Sequence, residues 1–313
     1  MVVIQCQRCS CLLRSKQARS LLSRSLSSRA PPQPLDLSYL SYRDDSADDL
    51  KYPPLLIIHG LFGQKNNWHS VAKAMQKKLP NKIVCADLRN HGDSPWHDDN
   101  SVAALAVDLM ALIPKISTTL GRVIILGHSL GGRAAIYLAL HEPDLLDAAI
   151  IEDVVPREYS ENFMSFIPTV LNAMCELAFP TSISLPEARK YAAEQLLPAV
   201  QNKAVLDFLL TNLKQTDTGE LGWKVNLNVL NRGWNVFSTF PMEDIKGKRF
   251  EKPTMLIRGA NSPYVTDGDE ALMKTWFPRL DFETIAGAGH WVHSEQPARF
   301  MDKVVQFVQK LYV

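Results

Sequence analysis

A serine lies at the centre of a short glycine-rich stretch, Gly127-His128-Ser129-Leu130-Gly131-Gly132. The stretch follows an apolar run at 123–126 and precedes a segment of small residues that begins at Ala134. A Gly-x-Ser-x-Gly sequence between a strand and a helix is typical of a nucleophile elbow, a tight and strained turn that exposes the serine hydroxyl. The glycines two residues before and after the serine leave room for such a turn. We therefore expect Ser129 to be the nucleophile of an acyl-transfer reaction.

A serine hydroxyl becomes a good nucleophile only when a neighbouring base removes its proton. We expect His290 to be that base, because glycines at 287 and 289 let the loop after the last apolar run carry an imidazole over the serine. His293 is its nearest rival, but we expect it to begin a helix as a solvent-exposed cap. His59 and His128 are expected to flank the site and to hydrogen-bond backbone groups. The histidine spacing does not resemble a metal site, and we expect no metal and no cofactor.

Acyl transfer also needs two hydrogen-bond donors for the oxyanion of the tetrahedral intermediate. The backbone N–H of Leu130, at the start of the helix after the elbow, is expected to be one of them. The second should come from the loop His59-Gly60-Leu61-Phe62-Gly63, where we favour Leu61 over Phe62.

The elements that must position these groups alternate along the first part of the chain's body. Short apolar runs at 54–58, 83–86, 123–126 and 148–151 each end in a polar residue or a glycine. Runs that are apolar on both faces are typical of central strands in a parallel sheet covered by helices. The segments between them, such as 101–113, carry apolar residues at helical spacing. This order predicts an α/β fold with a doubly wound, mostly parallel sheet, whose ligands bind at the carboxyl ends of the strands.

The alternation stops between 156 and about 250. The segments 161–177, 186–199 and 203–213 look helical there, and no strand-like run interrupts them. We interpret this part as a helical cap inserted into the sheet domain. The strand and helix order then resumes with segments at 253–257, 268–277 and 281–285 and a final amphipathic helix that carries Phe300, Val304 and Phe307.

Composition excludes several classes of protein. The 313 residues are 46% apolar and carry 34 basic against 33 acidic side chains, a formal charge of +1. A chain this apolar and this close to neutrality is neither disordered nor drawn to nucleic-acid phosphates. It contains no apolar stretch of the roughly 18 residues that a transmembrane segment needs. Five cysteines in a chain of this length are not a disulfide framework.

Residues 1–35 differ in composition from the rest. They contain six basic side chains, seven serines and three of the five cysteines, and no acidic residue. Basic, serine-rich and acid-free N-termini are typical of organelle transit peptides, so we expect 1–35 to be a mitochondrial transit peptide. The remaining domain, 36–313, then holds 28 basic against 33 acidic residues and a formal charge of −5.

Several motifs together resemble the α/β-hydrolase fold family over about 53–313. They are the His59-Gly60 loop, Asn90-His91-Gly92, the serine elbow, and Gly289-His290-Trp291-Val292-His293. The resemblance is greatest to a branch with mitochondrial members and small bacterial esterases. It implies an α/β-hydrolase fold and diacylglycerol or another acyl-glycerol ester as substrate. For the mitochondrial relatives it also implies an association with the 2-oxoglutarate dehydrogenase complex. The mitochondrial matrix is expected on other grounds, since the domain after the leader keeps only Cys85 and Cys175, which suits a reducing compartment.

The acid that orients the base departs from the usual pattern of this family. It usually follows the strand that ends here at Arg258-Gly259, but this sequence has Ser262 in that place. Asp153 follows the strand after the elbow, keeps the chain order serine, acid, histidine, and occupies an alternative position used by some lipases. We therefore expect Asp153 to be the acid. A turn or capping carboxylate is the other interpretation of Asp153, and Asp267 and Asp269 are the remaining candidates.

These residues predict a serine ester hydrolase, a lipase or esterase that cleaves an acyl ester or lipid through an acyl-enzyme. The alternative is a non-catalytic or protective binding partner of a mitochondrial complex, such as the 2-oxoglutarate dehydrogenase complex, built on a hydrolase scaffold. The intact elbow and base favour the enzyme, because a binding module has no need of a strained serine.

Overall fold

The computed structural model describes residues 32–43, 51–117, 119–158, 161–216 and 218–313. Its strands are β1 Tyr39–Ser41, β2 Leu55–Ile58, β3 Ile83–Ala86, β4 Val123–His128, β5 Leu146–Glu152, β6 Leu213–Gln215, β7 Leu221–Trp223, β8 Thr254–Gly259 and β9 Leu280–Ile285. Its α-helices are α1 His69–Gln76, α2 Val102–Ile116, α3 Leu130–His141, α4 Glu161–Glu176, α5 Leu185–Val200, α6 Lys203–Leu210, α7 Leu227–Arg232, α8 Trp234–Ser238, α9 Asp269–Lys274, α10 Val292–Glu295 and α11 Pro297–Lys310.

Seven of the strands form one sheet in the order β1-β3-β2-β4-β5-β8-β9. All neighbouring pairs are parallel except β1 and β3, which are antiparallel. The mostly parallel α/β sheet predicted from the alternating runs is therefore confirmed. The short edge strand β1 was not predicted, because three residues are too few to show a strand pattern.

The strands of the sheet are apolar on both faces because helices cover both. Leu56 and Ile58 belong to one buried cluster with residues of α2 and α3, whereas Leu55 and Ile57 belong to a second cluster with residues of α1 and α11. Successive side chains of a strand point to opposite faces, so a strand buried on both sides needs an unbroken apolar run.

The sheet register brings three strand ends to one place. Ile58 of β2 pairs with Gly127 of β4, and His128 pairs with Glu152 of β5. The chain order runs outward in both directions from the centre of the sheet, which leaves a crevice at the carboxyl ends of these strands. The loops that begin there start at His59, Ser129 and Asp153.

Helices dominate the stretch between β5 and β8, as the sequence predicts, with α4, α5 and α6 close to the expected bounds. The prediction that no strand interrupts this stretch was wrong, because β6 and β7 form a two-stranded antiparallel pair. Each of these strands has only three residues, and Gly222 breaks the apolar pattern of one of them. The helix predicted at 268–277 is also shorter, Asp269–Lys274.

The described chain begins just before the end of the predicted transit peptide, most of which lies outside the described residues. The carbonyl oxygen of Gln33 accepts a hydrogen bond from the buried Arg89 guanidinium at 3.0 Å, and the Leu35 N–H donates to Asp108 Oδ1 at 2.7 Å. In the part of the chain that the structure describes, no helix is both long and apolar enough to cross a membrane.

Candidate active site

Ser129 forms the turn between β4 and α3 in a conformation that few side chains adopt. Its φ is 50° and its ψ is −114°. Its N–H donates to the carbonyl oxygen of Glu152 at 3.0 Å, and its own carbonyl accepts from the Arg133 N–H at 2.9 Å. A positive φ in a residue other than glycine costs free energy and persists only where surrounding contacts hold it, most often at functional sites.

The two glycines of the elbow are required by close contacts between backbones. A Cβ at Gly127 would lie 2.5 Å from the carbonyl oxygen of Gly131, and a Cβ at Gly131 would lie 2.5 Å from the carbonyl oxygen of His59. Real Cβ atoms do not approach backbone oxygens this closely. The elbow therefore packs directly against the end of β2, which brings the His59 loop beside Ser129.

The loop after β9 carries His290 to the same place. The His290 Nδ1 donates to Asp153 Oδ2 at 2.7 Å, and the His290 carbonyl oxygen accepts from the Nε2 of His128 at 2.9 Å. A carboxylate at Nδ1 favours the tautomer whose Nε2 is free to accept a proton. The ring of His290 and the side chain of Ser129 both line one cavity.

Asp153 is fully buried at the end of β5 and has a φ of 51°. Its Oδ1 accepts from the Gly259 N–H at 3.2 Å, and its Oδ2 accepts from the Ser262 hydroxyl as well as from His290. Ser262, which stands where the acid was expected from the wider family pattern, thus donates to Asp153, the predicted acid at the alternative position.

The two rival carboxylates are engaged elsewhere. Asp267 has a side chain that is 91% exposed and forms an ion pair with Arg258. Asp269 accepts hydrogen bonds from the N–H and hydroxyl of Thr266 and pairs with Arg157 at 3.1 Å.

The backbone N–H groups of the loop after β2 differ in whether they already have a hydrogen-bond partner among the described residues, and this distinguishes the two candidate oxyanion donors. The Phe62 N–H donates to His91 Nε2 at 3.2 Å, and the Gly63 N–H donates to the carbonyl oxygen of Gly60 at 3.0 Å. Leu61, which precedes them, lines the same cavity as Ser129. Leu130 is the first residue of α3, and the N–H groups of the first helical turn have no partner within the helix.

Three histidines support the backbone around the site. His59 Nε2 accepts from the Leu88 N–H at 3.0 Å, and His128 donates to the carbonyl of His290, as the sequence predicts for both. Complete burial lowers the pKa of His91 to about 3. A neutral His91 is what allows its Nε2 to accept from the Phe62 amide.

Known proteins that are similar to this chain include members of one fold family and several lipases and esterases. The family model of the alpha/beta hydrolase fold matches residues 53–297. The chain belongs to this family. The mouse sn-1-specific diacylglycerol lipase ABHD11 is 35% identical over 276 residues, covering 88% of this chain and 86% of the relative. Esterase YbfF of Escherichia coli is 30% identical over 244 residues, covering 78% of this chain and 88% of the relative.

Solved structures give the same result. A marine microorganism esterase has a TM-score of 0.76 and 31% identity, with 87% of this chain and 99% of that chain covered. As an α/β-hydrolase with lipase and esterase relatives, the chain is a carboxylic ester hydrolase. These comparisons do not support the non-catalytic alternative.

Nearly half of the residues that line the cavity of this α/β-hydrolase are apolar ones from the segment between β5 and β8. They come from α4 and α6 and are Phe166, Ile167, Val170, Val205, Phe208 and Leu209. Trp291, next to the predicted base, packs against Phe208 with ring centroids 5.6 Å apart. The lining residues bring hydrophobic surface to within reach of Ser129.

The expectation that His293 is a solvent-exposed cap was wrong. His293 is buried, with its Nδ1 2.7 Å from Glu152 Oε1 and its ring stacked on Trp68 at 3.9 Å. Glu152 was not predicted as a site residue at all. Its signal in the sequence is a second carboxylate directly before Asp153 at the end of an apolar strand.

Among the described residues, one group of side chains has potential metal ligands close together. The ligand atoms of His128, Glu152 and His293 lie within 4.8 Å of one another. The His293 Nδ1 is bonded to Glu152, however, and the His128 Nε2 donates to the carbonyl of His290. Because these nitrogens already have protein partners, we treat the group as a hydrogen-bonded cluster.

Proposed function

We propose that this chain is a serine lipase or esterase that cleaves acyl-glycerol esters, diacylglycerol among them, with Ser129, His290 and Asp153 as its catalytic triad. The observation that carries the triad is the hydrogen bond from His290 Nδ1 to the buried Asp153, made beside the cavity that Ser129 also lines.

Acylation uses each of these groups in turn. His290 Nε2 takes the proton of the Ser129 hydroxyl as its oxygen attacks the ester carbonyl carbon. Asp153 holds the imidazole in the required tautomer and stabilises the imidazolium that forms. The same proton then passes from His290 to the oxygen of the leaving alcohol, and the acyl group remains on Ser129 as an ester.

The negative charge on the carbonyl oxygen develops between two backbone amides. The N–H of Leu130 and the N–H of Leu61 would receive it, since the amides of Phe62 and Gly63 are already donating. Losing one such donor typically costs about 3–4 kcal/mol of transition-state stabilisation. Water then enters, gives a proton to His290, and releases the carboxylic acid by the same steps.

Two observations support a lipid-like acyl ester as the substrate. The cavity wall from α4 and α6 is apolar, which suits an acyl chain more than a peptide. The relative that is 35% identical is described as an sn-1-specific diacylglycerol lipase. We therefore propose a small-molecule ester or lipid as the substrate; the comparisons give no support for an association with the 2-oxoglutarate dehydrogenase complex.

We also propose that the basic N-terminal segment directs the protein to mitochondria, with the matrix as its destination, and that the helical stretch at about 156–250 acts as the cap of a domain spanning 36–313. Because Gln33 and Leu35 contact Arg89 and Asp108, we favour a leader that ends before Gln33, so that residues 33–35 are kept as part of the domain.

Labelling with a serine-reactive fluorophosphonate, together with turnover of a p-nitrophenyl ester and of diacylglycerol, tests this function. Ser129→Ala should abolish labelling and turnover of both esters. Ser184→Ala is the matched control, because Ser184 is an exposed helix cap on α5 and should leave both unchanged. Labelling of the folded Ser129→Ala protein would contradict the assignment of the nucleophile, and a wild-type protein that turned over neither ester would contradict the esterase function.

A further inference from the structure

Two consecutive carboxylates at the end of β5 hold two histidines that lie three residues apart. Asp153 accepts from His290 at 2.7 Å, and Glu152 accepts from His293 at the same distance. The first pair belongs to the proposed triad. The second pair is also buried, with a Glu152 side chain that is 0% exposed and a His293 side chain that is 7% exposed.

Glu152 is bonded both to the elbow and to the loop that carries the base. Its Oε1 accepts two hydrogen bonds from His293, one from the backbone N–H at 2.9 Å and one from Nδ1 at 2.7 Å. Its backbone carbonyl accepts from the Ser129 N–H at 3.0 Å. One residue therefore connects the nucleophile's backbone with the first turn of α10, three residues after His290.

The His293 ring is itself held on two sides. One face stacks on Trp68, with ring centroids 3.9 Å apart and an interplanar angle of 18°. His128 meets it edge-on at 5.0 Å, and the His128 Nε2 donates to the carbonyl of His290 at 2.9 Å. The backbone of His290 is thus fixed in two ways. His128 donates directly to its carbonyl oxygen, and His293 anchors the start of α10, which follows His290 in the chain.

The two histidines of the cluster are uncharged at neutral pH, and the carboxyl group of Glu152 is shifted toward its protonated form. Burial raises the pKa of the Glu152 carboxyl to about 7 and lowers the pKa of His128 and of His293 to about 3. The second oxygen of Glu152, Oε2, has no hydrogen-bond partner among the described residues, which is costly for a buried carboxylate and less so for a protonated carboxyl group. Both donors of His293 use Oε1 as their acceptor, and a neutral amide oxygen in the same place can accept the same two hydrogen bonds.

We propose that Glu152 and His293 are positioning residues for the proposed base. Through the two hydrogen bonds to Oε1, they fix the loop 286–293 relative to the elbow. The His290 imidazole is thereby held beside Ser129 before substrate binds. This inference rests on the proposed serine esterase function, since it assigns a role only if His290 acts on Ser129.

The test compares Glu152→Leu, which removes the acceptor at similar volume, with Glu152→Gln, which keeps an acceptor oxygen at Oε1. We expect Glu152→Leu to lower kcat for a p-nitrophenyl ester by about 10- to 100-fold and to change KM by no more than about twofold, because small misplacements of a catalytic group cost rate rather than substrate affinity. Glu152→Gln should recover kcat to within about threefold of wild type. All rates are expressed per folded protein, from circular dichroism.

A matched control and a second variant separate positioning from general stability. Asn81→Leu removes a fully buried side chain that donates to the Pro53 carbonyl at 2.8 Å, before the start of β3 and at the opposite end of the sheet. It should lower the melting temperature and leave kcat unchanged. If Glu152→Leu does not fold, His293→Phe keeps the stacking on Trp68 and the backbone N–H, loses the Nδ1 donor, and should lower kcat by about 3- to 10-fold.

The outcomes are distinct. If Ser129→Ala remains active, the proposed function fails and the positioning role fails with it. If Ser129→Ala is inactive but Glu152→Leu keeps the wild-type kcat, or only melts earlier as Asn81→Leu does, the positioning role alone is wrong. A Glu152→Gln variant as slow as Glu152→Leu would show that charge, not the acceptor oxygen, is what matters, and would also overturn it.

Discussion

Replacing Asp153 by Asn tests the assignment of the acid, because the three donors around this carboxylate dictate how the amide must turn. The Gly259 N–H faces Oδ1 and can only donate, so the amide oxygen is drawn to that position. The Asn NH₂ group then takes the place of Oδ2 and faces both Ser262 and His290. The Ser262 hydroxyl can rotate and accept a hydrogen bond from it. His290 Nδ1 must accept one as well. An Nδ1 that accepts forces the proton onto Nε2, and His290 can no longer take the proton of Ser129.

This tautomer change sets the expected magnitude. In Ser-His-Asp enzymes an Asn in place of the acid lowers kcat by about 10⁴-fold while leaving the geometry intact, which is about 5 kcal/mol in activation free energy. We expect a loss of about 10³- to 10⁴-fold in kcat for Asp153→Asn. The measurement is turnover of a p-nitrophenyl ester by folded protein, with the rate of fluorophosphonate labelling as a second readout.

The rival carboxylate provides the control. Asp267→Asn changes a side chain that is 91% exposed and pairs with Arg258, so it should alter kcat by less than about twofold. A folded Asp153→Asn protein within tenfold of wild type would refute the tautomer argument. A loss in Asp267→Asn as large as that in Asp153→Asn would move the acid to Asp267.

Three further perturbations follow from contacts around the site. Gly131→Ala places a Cβ 2.5 Å from the His59 carbonyl oxygen, so α3 must move away from β2; we expect about a 100-fold loss of kcat in steady-state assays, and an unchanged kcat would contradict the close packing. Ser262→Ala removes a hydroxyl donor to Asp153 and should lower kcat about tenfold, with Ser262→Thr as the variant that retains the hydroxyl. Burial keeps His293 neutral with a pKa of about 3 against 6.5 unfolded, so the unfolded chain binds a proton that the native state does not, and stability falls as pH drops below 6.5. Between pH 7 and pH 5 the free energy of unfolding, measured in urea, should therefore fall by about 2 kcal/mol less in His293→Phe than in wild type. An equal fall in the two proteins would rule this out.

The sequence alone was enough to predict the central strands of the sheet, the turn at Ser129 and the loop that carries His290. Strands buried on both faces need unbroken apolar runs, so β2, β3, β4 and β5 could be located within about two residues. The elbow could be found because its glycines are required by backbone contact, which leaves a mark in the residue types themselves. His290 could be chosen because its flanking glycines mark a loop that follows the last strand.

What the sequence could not provide were contacts between residues far apart in the chain. The short strands β1, β6 and β7 depend on pairing partners and not on a local pattern. The sequence favoured Leu61 over Phe62 only weakly, since backbone amides have no side-chain signature; the bond from Phe62 to His91 is what distinguishes them.

The clearest difference between sequence and structure is at His293, which the local pattern placed in solvent as a helix cap. Only the sheet register, which sets Glu152 beside His128 on the neighbouring strand, brings a carboxyl group under this helix start and buries the imidazole against Trp68. Sequence patterns determine which residues must be apolar, flexible or small, because those demands are local. Which carboxylate meets which histidine depends on how strands and loops distant in the chain pack together, and that was decided by the tertiary structure.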